Sequence, residues 1–154
     1  MRAPVLCVLC LGLAFGCSKD EPRTVLWGSN LEAAEARGGV LLSPGHFEMG
    51  SPAHEAGRFE SEQLHPVTLR GAFYLSSTEV TQGQYQAVMG QNPSKNQACG
   101  TSCPVERVNW MEAVEFCNRL SVMEGVAPAY VVTGGEVTWD VSSSGYRLPT
   151  EAEW

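Results

Sequence analysis

The most regular pattern of apolar and polar positions follows residue 109. Apolar side chains recur at spacings of three and four, which places them on one face of a helix. They are Trp110, Ala113, Val114, Cys117 and Leu120. The pattern predicts a helix that begins at residues 109–112 and buries this face in a core.

Shorter patterns predict a second helix and several strands. Thr81 and Gln84 form a capping box for a helix that Gly90 ends, and a similar box opens a short predicted helix over residues 29–37. Turn residues 43–45 suggest that strand 46–49 returns along strand 40–42, and Gly134–Gly135 predicts a two-residue hairpin. Predicted strands cover 40–42, 46–49, 67–69, 73–75, 130–133, 137–139 and 146–148.

The first residues have the pattern of an export signal. Arg2 precedes an apolar stretch over residues 5–15 that is too short to span a bilayer as a helix. Residues 1–16 are therefore predicted to be a signal peptide, and residues 17–38 a tether with a short helix. Gly16 before Cys17 resembles a bacterial lipobox, which makes Cys17 the lipidated N-terminus; ordinary signal cleavage near Gly16 is the alternative.

This reading predicts a protein that is exported and anchored by lipid to the bacterial cell envelope. Ser18 after Cys17 is compatible with sorting to the outer membrane. The membrane, reached through the lipid anchor, is thus the first expected partner.

Composition bounds the class of protein. The chain has 154 residues, enough for one domain with a core, and its net charge is −7. Clustered Lys and Arg are needed to bind phosphates, so this charge argues against a nucleic-acid partner and against a polybasic membrane patch.

The last residues announce a helix with barely one turn. Nucleating a helix costs more than one turn returns, so we expect the sequence to be the N-terminal portion of a longer domain and to fold poorly by itself.

Four segments, taken in order, resemble the formylglycine-generating enzymes, also called sulfatase-modifying factors. The resemblance covers about residues 42–154. The segments are 45–51 (GHFEMGS), 66–81 with PVTL, FYL and TEVT, 104–121 (PVERVNWMEAVEFCNRLS) and 145–154 (GYRLPTEAEW).

The resemblance implies an α+β, C-type-lectin-like fold with short strands, few helices and much ordered loop, here incomplete. Residues 39–154 would be the N-terminal part of that domain. Copper and calcium are implied for a full-length active member, whose copper-binding cysteine pair and calcium sites lie beyond this motif. No catalytic residue and no metal ligand is therefore expected in this chain.

The final motif is predicted to be structural. Its members are Arg147, Leu148, Pro149, Thr150, Glu151, Glu153 and Trp154. Glu151 and Glu153 could form an acid–base pair, but carboxylates at a helix start favour capping and the helix dipole. The tryptophans Trp110, Trp139 and Trp154 are expected in the core rather than on a ligand platform.

Two cysteines four positions apart, Cys99 and Cys103, could bind a soft metal such as Cu(I). In an exported protein, a glycine-containing turn between two cysteines favours a small structural disulfide instead. Cys117, on the predicted helix face, is either a core thiol or the partner of a cysteine beyond residue 154. The three histidines fit no ligand spacing and are expected in solvated loops.

Two functions follow as hypotheses. The full-length protein would oxidise a sulfatase cysteine to formylglycine with copper and oxygen, or the same fold would serve as a non-catalytic binding or scaffold module for another envelope protein. A sulfatase or an envelope protein is the corresponding partner. The chain as given is expected to have no oxidase activity.

Overall fold

The computed structural model describes residues 8–9 by their backbone and residues 38–154 in full. The predicted short helix over 29–37, most of the tether and the lipidation position Cys17 lie outside these residues. The described elements are short strands and two α-helices joined by long loops, which is an α+β arrangement. The strands are β1 (Val8–Leu9), β2 (Gly39–Leu42), β3 (Gly45–Met49), β4 (His65–Leu69), β5 (Phe73–Ser76), β6 (Tyr130–Thr133), β7 (Glu136–Trp139) and β8 (Tyr146–Arg147).

The helices predicted near residues 81 and 109 are present, and both start at capping boxes. Helix α1 (Gln82–Met89) begins after Thr81, whose hydroxyl accepts from the Gln84 amide at 3.2 Å. Helix α2 (Trp110–Met123) begins after Asn109, whose side chain accepts from the Glu112 amide at 3.0 Å. These bonds satisfy amides that the first helical turn leaves without a partner.

The two helices pack against each other, and α2 also packs against β8. Tyr85 of α1 stacks on Phe116 of α2 with ring centroids 5.4 Å apart. The core also includes side chains from the strands and loops around the helices. Its buried members are Tyr74, Val80, Tyr85, Val88, Val105, Val108, Ala113, Phe116, Cys117, Leu120, Val126 and Tyr146.

The expectation that three tryptophans lie in the core was wrong. Trp110 is 57% exposed, and Trp139 and Trp154 are also exposed. Trp110 is the first residue of α2, so its side chain projects over the turn before the helix rather than onto the packed face. Phe116 takes the large apolar position on that face instead.

The predicted return of strand 46–49 along strand 40–42 was also wrong. β2 pairs with β5 and β3 pairs with β4, both antiparallel. The pairing of β2 with β5 ends at Leu42 and Phe73, and the pairing of β3 with β4 begins at Gly45 and Leu69. Residues 43–44 therefore lie opposite residues 70–72. One extra residue on one side bends a β-ribbon, so residues 43–45 are a bend and not a hairpin turn.

The predicted hairpin at Gly134–Gly135 is present as β6 and β7, with Thr133 paired to Glu136. Both glycines have positive φ, 59° and 88°, as a two-residue turn of this kind requires. β1 lies in the four-stranded sheet, whose order is β2-β5-β1-β8.

Candidate functional site

The family-like motif over residues 147–154 is organised around a buried arginine. Arg147 is 2% exposed, and its guanidinium donates two hydrogen bonds to the Glu153 carboxylate, at 2.7 and 2.6 Å. The same guanidinium lies 4.7 Å from the ring centre of Trp139. A fork-to-fork pair combined with an aromatic face fixes the arginine in one orientation.

Glu153 is held ionised by this arrangement. Burial by itself would raise its pKa, but hydrogen bonds from Arg147 and Thr150, together with the arginine charge, outweigh burial and hold the pKa below its usual value. A carboxylate in this state is a poor general acid near neutral pH. The geometry therefore supports a structural role for the pair.

The capping box proposed at Thr150 takes a different form. The Thr150 amide donates to the Glu153 carboxylate at 2.9 Å, but the Thr150 hydroxyl also donates to that carboxylate, at 3.0 Å. Residues 151–153 form turns rather than a helix. Glu153 is paired with Arg147, whereas Glu151 is exposed.

Strand β8 and the start of the motif are tied to α2 by polar side chains. The Ser121 hydroxyl accepts from the Tyr146 amide at 2.8 Å, and the Tyr130 hydroxyl accepts from the Leu148 amide at 2.9 Å. Asn118 in turn bonds both the amide and the carbonyl of Tyr130, at 3.0 and 2.8 Å. Ser121, Asn118 and Tyr130 therefore set the position of the motif over the helix.

The structure joins Cys99 and Cys103 in a disulfide with Cα atoms 5.9 Å apart. The loop that the disulfide closes caps α1: the Gln82 amide donates to the Cys103 carbonyl at 2.8 Å, and the Gly83 amide donates to the Thr101 carbonyl at 2.9 Å. These are two of the amides that a helix start cannot satisfy within itself. The disulfide loop thus stabilises the start of a core helix.

A second polar network, which the sequence analysis missed, holds the loop over residues 91–106. The buried Gln82 side chain donates to the Asn96 carbonyl at 3.1 Å and accepts from Asn92 at 2.9 Å. The Glu106 carboxylate accepts from the amides of Lys95 and Asn96. A glutamine just inside a predicted helix, followed by a loop rich in Asn and Ser, was the available signal.

An apolar groove opens where α1 and α2 pass each other. Its volume is about 410 Å³. Val122 and Met123 stand on its wall with 65% and 58% of their surface exposed. The other lining residues are Val88, Asn118 and Arg119, and Arg119 is paired with Glu115 at 2.6 Å.

The described cysteines do not fit a copper site of the kind expected for active members of the family. The sulfur atoms of Cys99 and Cys103 are joined in a disulfide, and Cys117 is fully buried on α2. Within residues 38–154, no group of three or more His, Cys, Asp or Glu side chains is placed to hold a metal ion. His46, His54 and His65 are all exposed. In the ribbon formed by β3 and β4, His46 is paired with Thr68 rather than with another histidine.

No helix among the described residues is long and apolar enough to cross a membrane.

The fold and the sequence define the class of protein. Short strands around two capped helices, with the arginine-centred motif at the sheet edge, match two solved structures. Treponema denticola variable protein 1 superposes with a TM-score of 0.64 at 32% identity, over 75% of this chain and 50% of that one. CarF superposes with a TM-score of 0.57 at 29% identity, over 75% and 53%.

The chain belongs to the sulfatase-modifying factor family: the family model described as "Sulfatase-modifying factor enzyme 1-like domain" matches residues 28–154. Chaperone protein LppX of Paenibacillus barcinonensis is 40% identical in an alignment 97 residues long, which covers 53% of this chain and 34% of that protein. This chain therefore spans about a third of that relative and about half of the two structures it matches.

Proposed function

We propose that this protein is an exported, lipid-anchored binding module of the cell envelope, in which the sulfatase-modifying factor fold holds segments of other exported polypeptides. The apolar leader and Cys17 support export and anchoring. A relative that is 40% identical over 97 residues is named a chaperone, which supports a binding role for the fold.

The observation that carries the proposal is the groove between α1 and α2. Val122 and Met123 are large apolar side chains that the fold leaves in solvent, beside the buried Val88. Methionine adapts its shape to different apolar partners, and it is common on surfaces that bind varied sequences. Asn118 and Arg119 add polar groups at the groove wall, so an apolar side chain and its neighbouring backbone could both be accommodated.

The test is binding of the purified 154-residue chain to an unfolded secretory protein, for which reduced and carboxymethylated α-lactalbumin is the probe. Covering an apolar side chain of this size is worth about 1.5–3 kcal/mol, so Val122→Glu and Met123→Glu are each expected to weaken binding by about tenfold or more. Far-ultraviolet circular dichroism checks that both variants stay folded.

Met111→Glu is the matched control, because Met111 is also exposed on α2 but does not line the groove. It places a carboxylate in the first turn of the helix, where the helix dipole tolerates one. Equal weakening by Met111→Glu and Met123→Glu, or no binding by the wild-type chain, contradicts the proposal.

The second candidate is oxidation of a sulfatase cysteine to formylglycine, which the family description favours. Soft copper would be held by cysteine thiolates. The described cysteines do not offer an accessible thiol pair, so we derive no oxidation step from them. Incubating the chain with copper, oxygen and a sulfatase-motif peptide tests this candidate: we expect no aldehyde, and aldehyde formation would establish the oxidase.

A further inference from the structure

The hairpin of β6 and β7 has an open strand edge. The two strands form a two-stranded sheet, so within residues 38–154 no strand lies on the outer side of β6. Val131 and Val132 in the middle of β6 are 58% and 47% exposed. The strand carries neither a charged residue nor a proline, which are common means of keeping an open edge from pairing. The outer side of β6 is therefore chemically suited to accept another strand.

The hydrogen-bond pattern of the hairpin shows which backbone groups lie on that outer side. The Asp140 amide donates to the Ala129 carbonyl at 2.9 Å, so these two residues are a hydrogen-bonded pair that continues the ladder. Bonded and non-bonded pairs alternate along an antiparallel ladder. By this alternation Val131 faces β7, whereas Tyr130 and Val132 direct their amides and carbonyls away from it.

The two outward-facing residues meet different surroundings. The Asn118 side chain accepts from the Tyr130 amide at 3.0 Å and donates to the Tyr130 carbonyl at 2.8 Å, as a neighbouring strand would. Val132 lies two residues further along β6, a distance of about 7 Å. In the part of the chain that the structure describes, no other element forms a hydrogen bond with the Val132 amide or carbonyl. One donor and one acceptor of β6 are thus available to a strand from another molecule.

Asn118 also connects this edge to the groove between α1 and α2. Its side chain lines the groove beside Val122 and Met123, and the same side chain bonds to Tyr130. An extended chain advances by about 3.3 Å per residue. A polypeptide with an apolar side chain in the groove can therefore pass Asn118 and reach Val132 within a few residues.

A second copy of the chain fits this edge less well. A stable protein–protein interface buries roughly 1,200 Å² or more in total, and two hydrogen bonds at Val132 cover far less. A polypeptide that also occupies the groove adds the burial of an apolar side chain to those bonds.

We propose that the outer edge of β6 is the backbone-binding half of the groove site, and that an exported polypeptide held in the groove adds an extended strand there, paired with Val132. The Val132 amide donates to a carbonyl of the bound polypeptide, and the Val132 carbonyl accepts from one of its amides. Main-chain bonds of this kind give affinity without reading the sequence, and the groove selects segments with a large apolar side chain nearby. This inference rests on the proposed function and adds to it the extended conformation of the bound segment.

The first measurement removes one outward amide from each side of the hairpin. Val132→Pro deletes the donor on β6 but keeps the bonded pairs of the ladder, since proline is tolerated where the N–H of an edge strand faces outward. Val137→Pro is the matched control, because Val137 is paired with Val132 and its amide faces the opposite outer side. We expect Val132→Pro to weaken binding of reduced and carboxymethylated α-lactalbumin about fivefold, and Val137→Pro to bind as the wild type does. Equal affinities of the two variants overturn the proposal.

The second measurement needs no substitution and compares amide hydrogen exchange in the wild-type chain with and without the bound α-lactalbumin. We expect the Val132 amide to exchange at least about tenfold more slowly in the complex, with the Val137 amide unchanged. Binding without slower exchange at Val132 overturns the added strand and leaves groove binding intact, whereas no binding by the wild-type chain overturns both. Protection of Val132 that appears in the unbound protein as its concentration rises assigns the edge to a second copy and also overturns the proposal.

Discussion

Two regions of this molecule are built from the same short elements but are stabilised very differently. Around α1 and α2, apolar faces, two capping boxes and the network of Gln82 converge on one core. The ribbon of β3 and β4 has a regular ladder, yet it contributes no member to that core, and Phe47 is 41% exposed. The comparison teaches that backbone pairing shapes the ribbon, whereas side-chain burial holds the helical region together.

The largest expected effect comes from removing a matched aromatic ring in each region. Phe116, 1% exposed, stacks on Tyr85, so Phe116→Ala is expected to lower the free energy of unfolding by about 3–5 kcal/mol. Phe47→Ala in the ribbon is expected to cost less, about 1 kcal/mol, because 41% of the Phe47 surface is already exposed in the folded state. Urea unfolding of the two variants measures the difference, and equal losses would show that the ribbon shares the core.

A smaller effect is expected from the loop that caps α1. Opening the disulfide with Cys99→Ser and Cys103→Ser frees a short loop, and chain entropy gives a loss of about 2 kcal/mol. The loss should fall on α1, since the Cys103 and Thr101 carbonyls accept from its first amides.

Hydrogen exchange at Gln82 and Gly83 checks this placement. We expect these amides to exchange faster in the double variant, with those of β3 and β4 unchanged. Faster exchange in the ribbon but not in α1 would refute the capping role of the loop.

The smallest expected effect concerns pH. The folded-state pKa of Glu153 is lowered, so its ion pair contributes stability above the unfolded-state pKa, and that contribution is lost as pH falls through the folded-state pKa. Glu153→Gln should therefore reduce the stability lost on acidification, as measured by the urea midpoint between neutral and acidic pH. A variant with the same acid dependence as the wild type would show that Arg147 does not hold this carboxylate ionised.

The family resemblance was correct, and each motif that carries it is a short run of neighbouring residues. The starts of α1 and α2 and the hairpin at Gly134–Gly135 were also predicted, since each depends on residues within about four positions. Strand pairing was not predictable in this way. Residues 43–45 look like a hairpin turn, but the partner of β2 is β5, more than thirty positions away.

The candidate sites show the same contrast between features that neighbouring residues predict and features that distant contacts decide. The cysteine spacing favoured a short disulfide, yet it did not reveal that the enclosed loop caps α1. The groove went unnoticed because Val122 and Met123 continue the apolar composition of α2, and the helix pattern does not show which apolar side chains lack a partner.

The sequence by itself determined the family, the helix starts, the hairpin turn and the apolar leader, because each is set by neighbouring residues and local backbone preferences. The tertiary structure decided that Trp110 lies outside the core, that Arg147 is buried against Glu153 and Trp139, and that β2 pairs with β5 rather than with β3. These features depend on which distant segments meet, and burial, ion pairing and sheet order exist only once those segments are packed together.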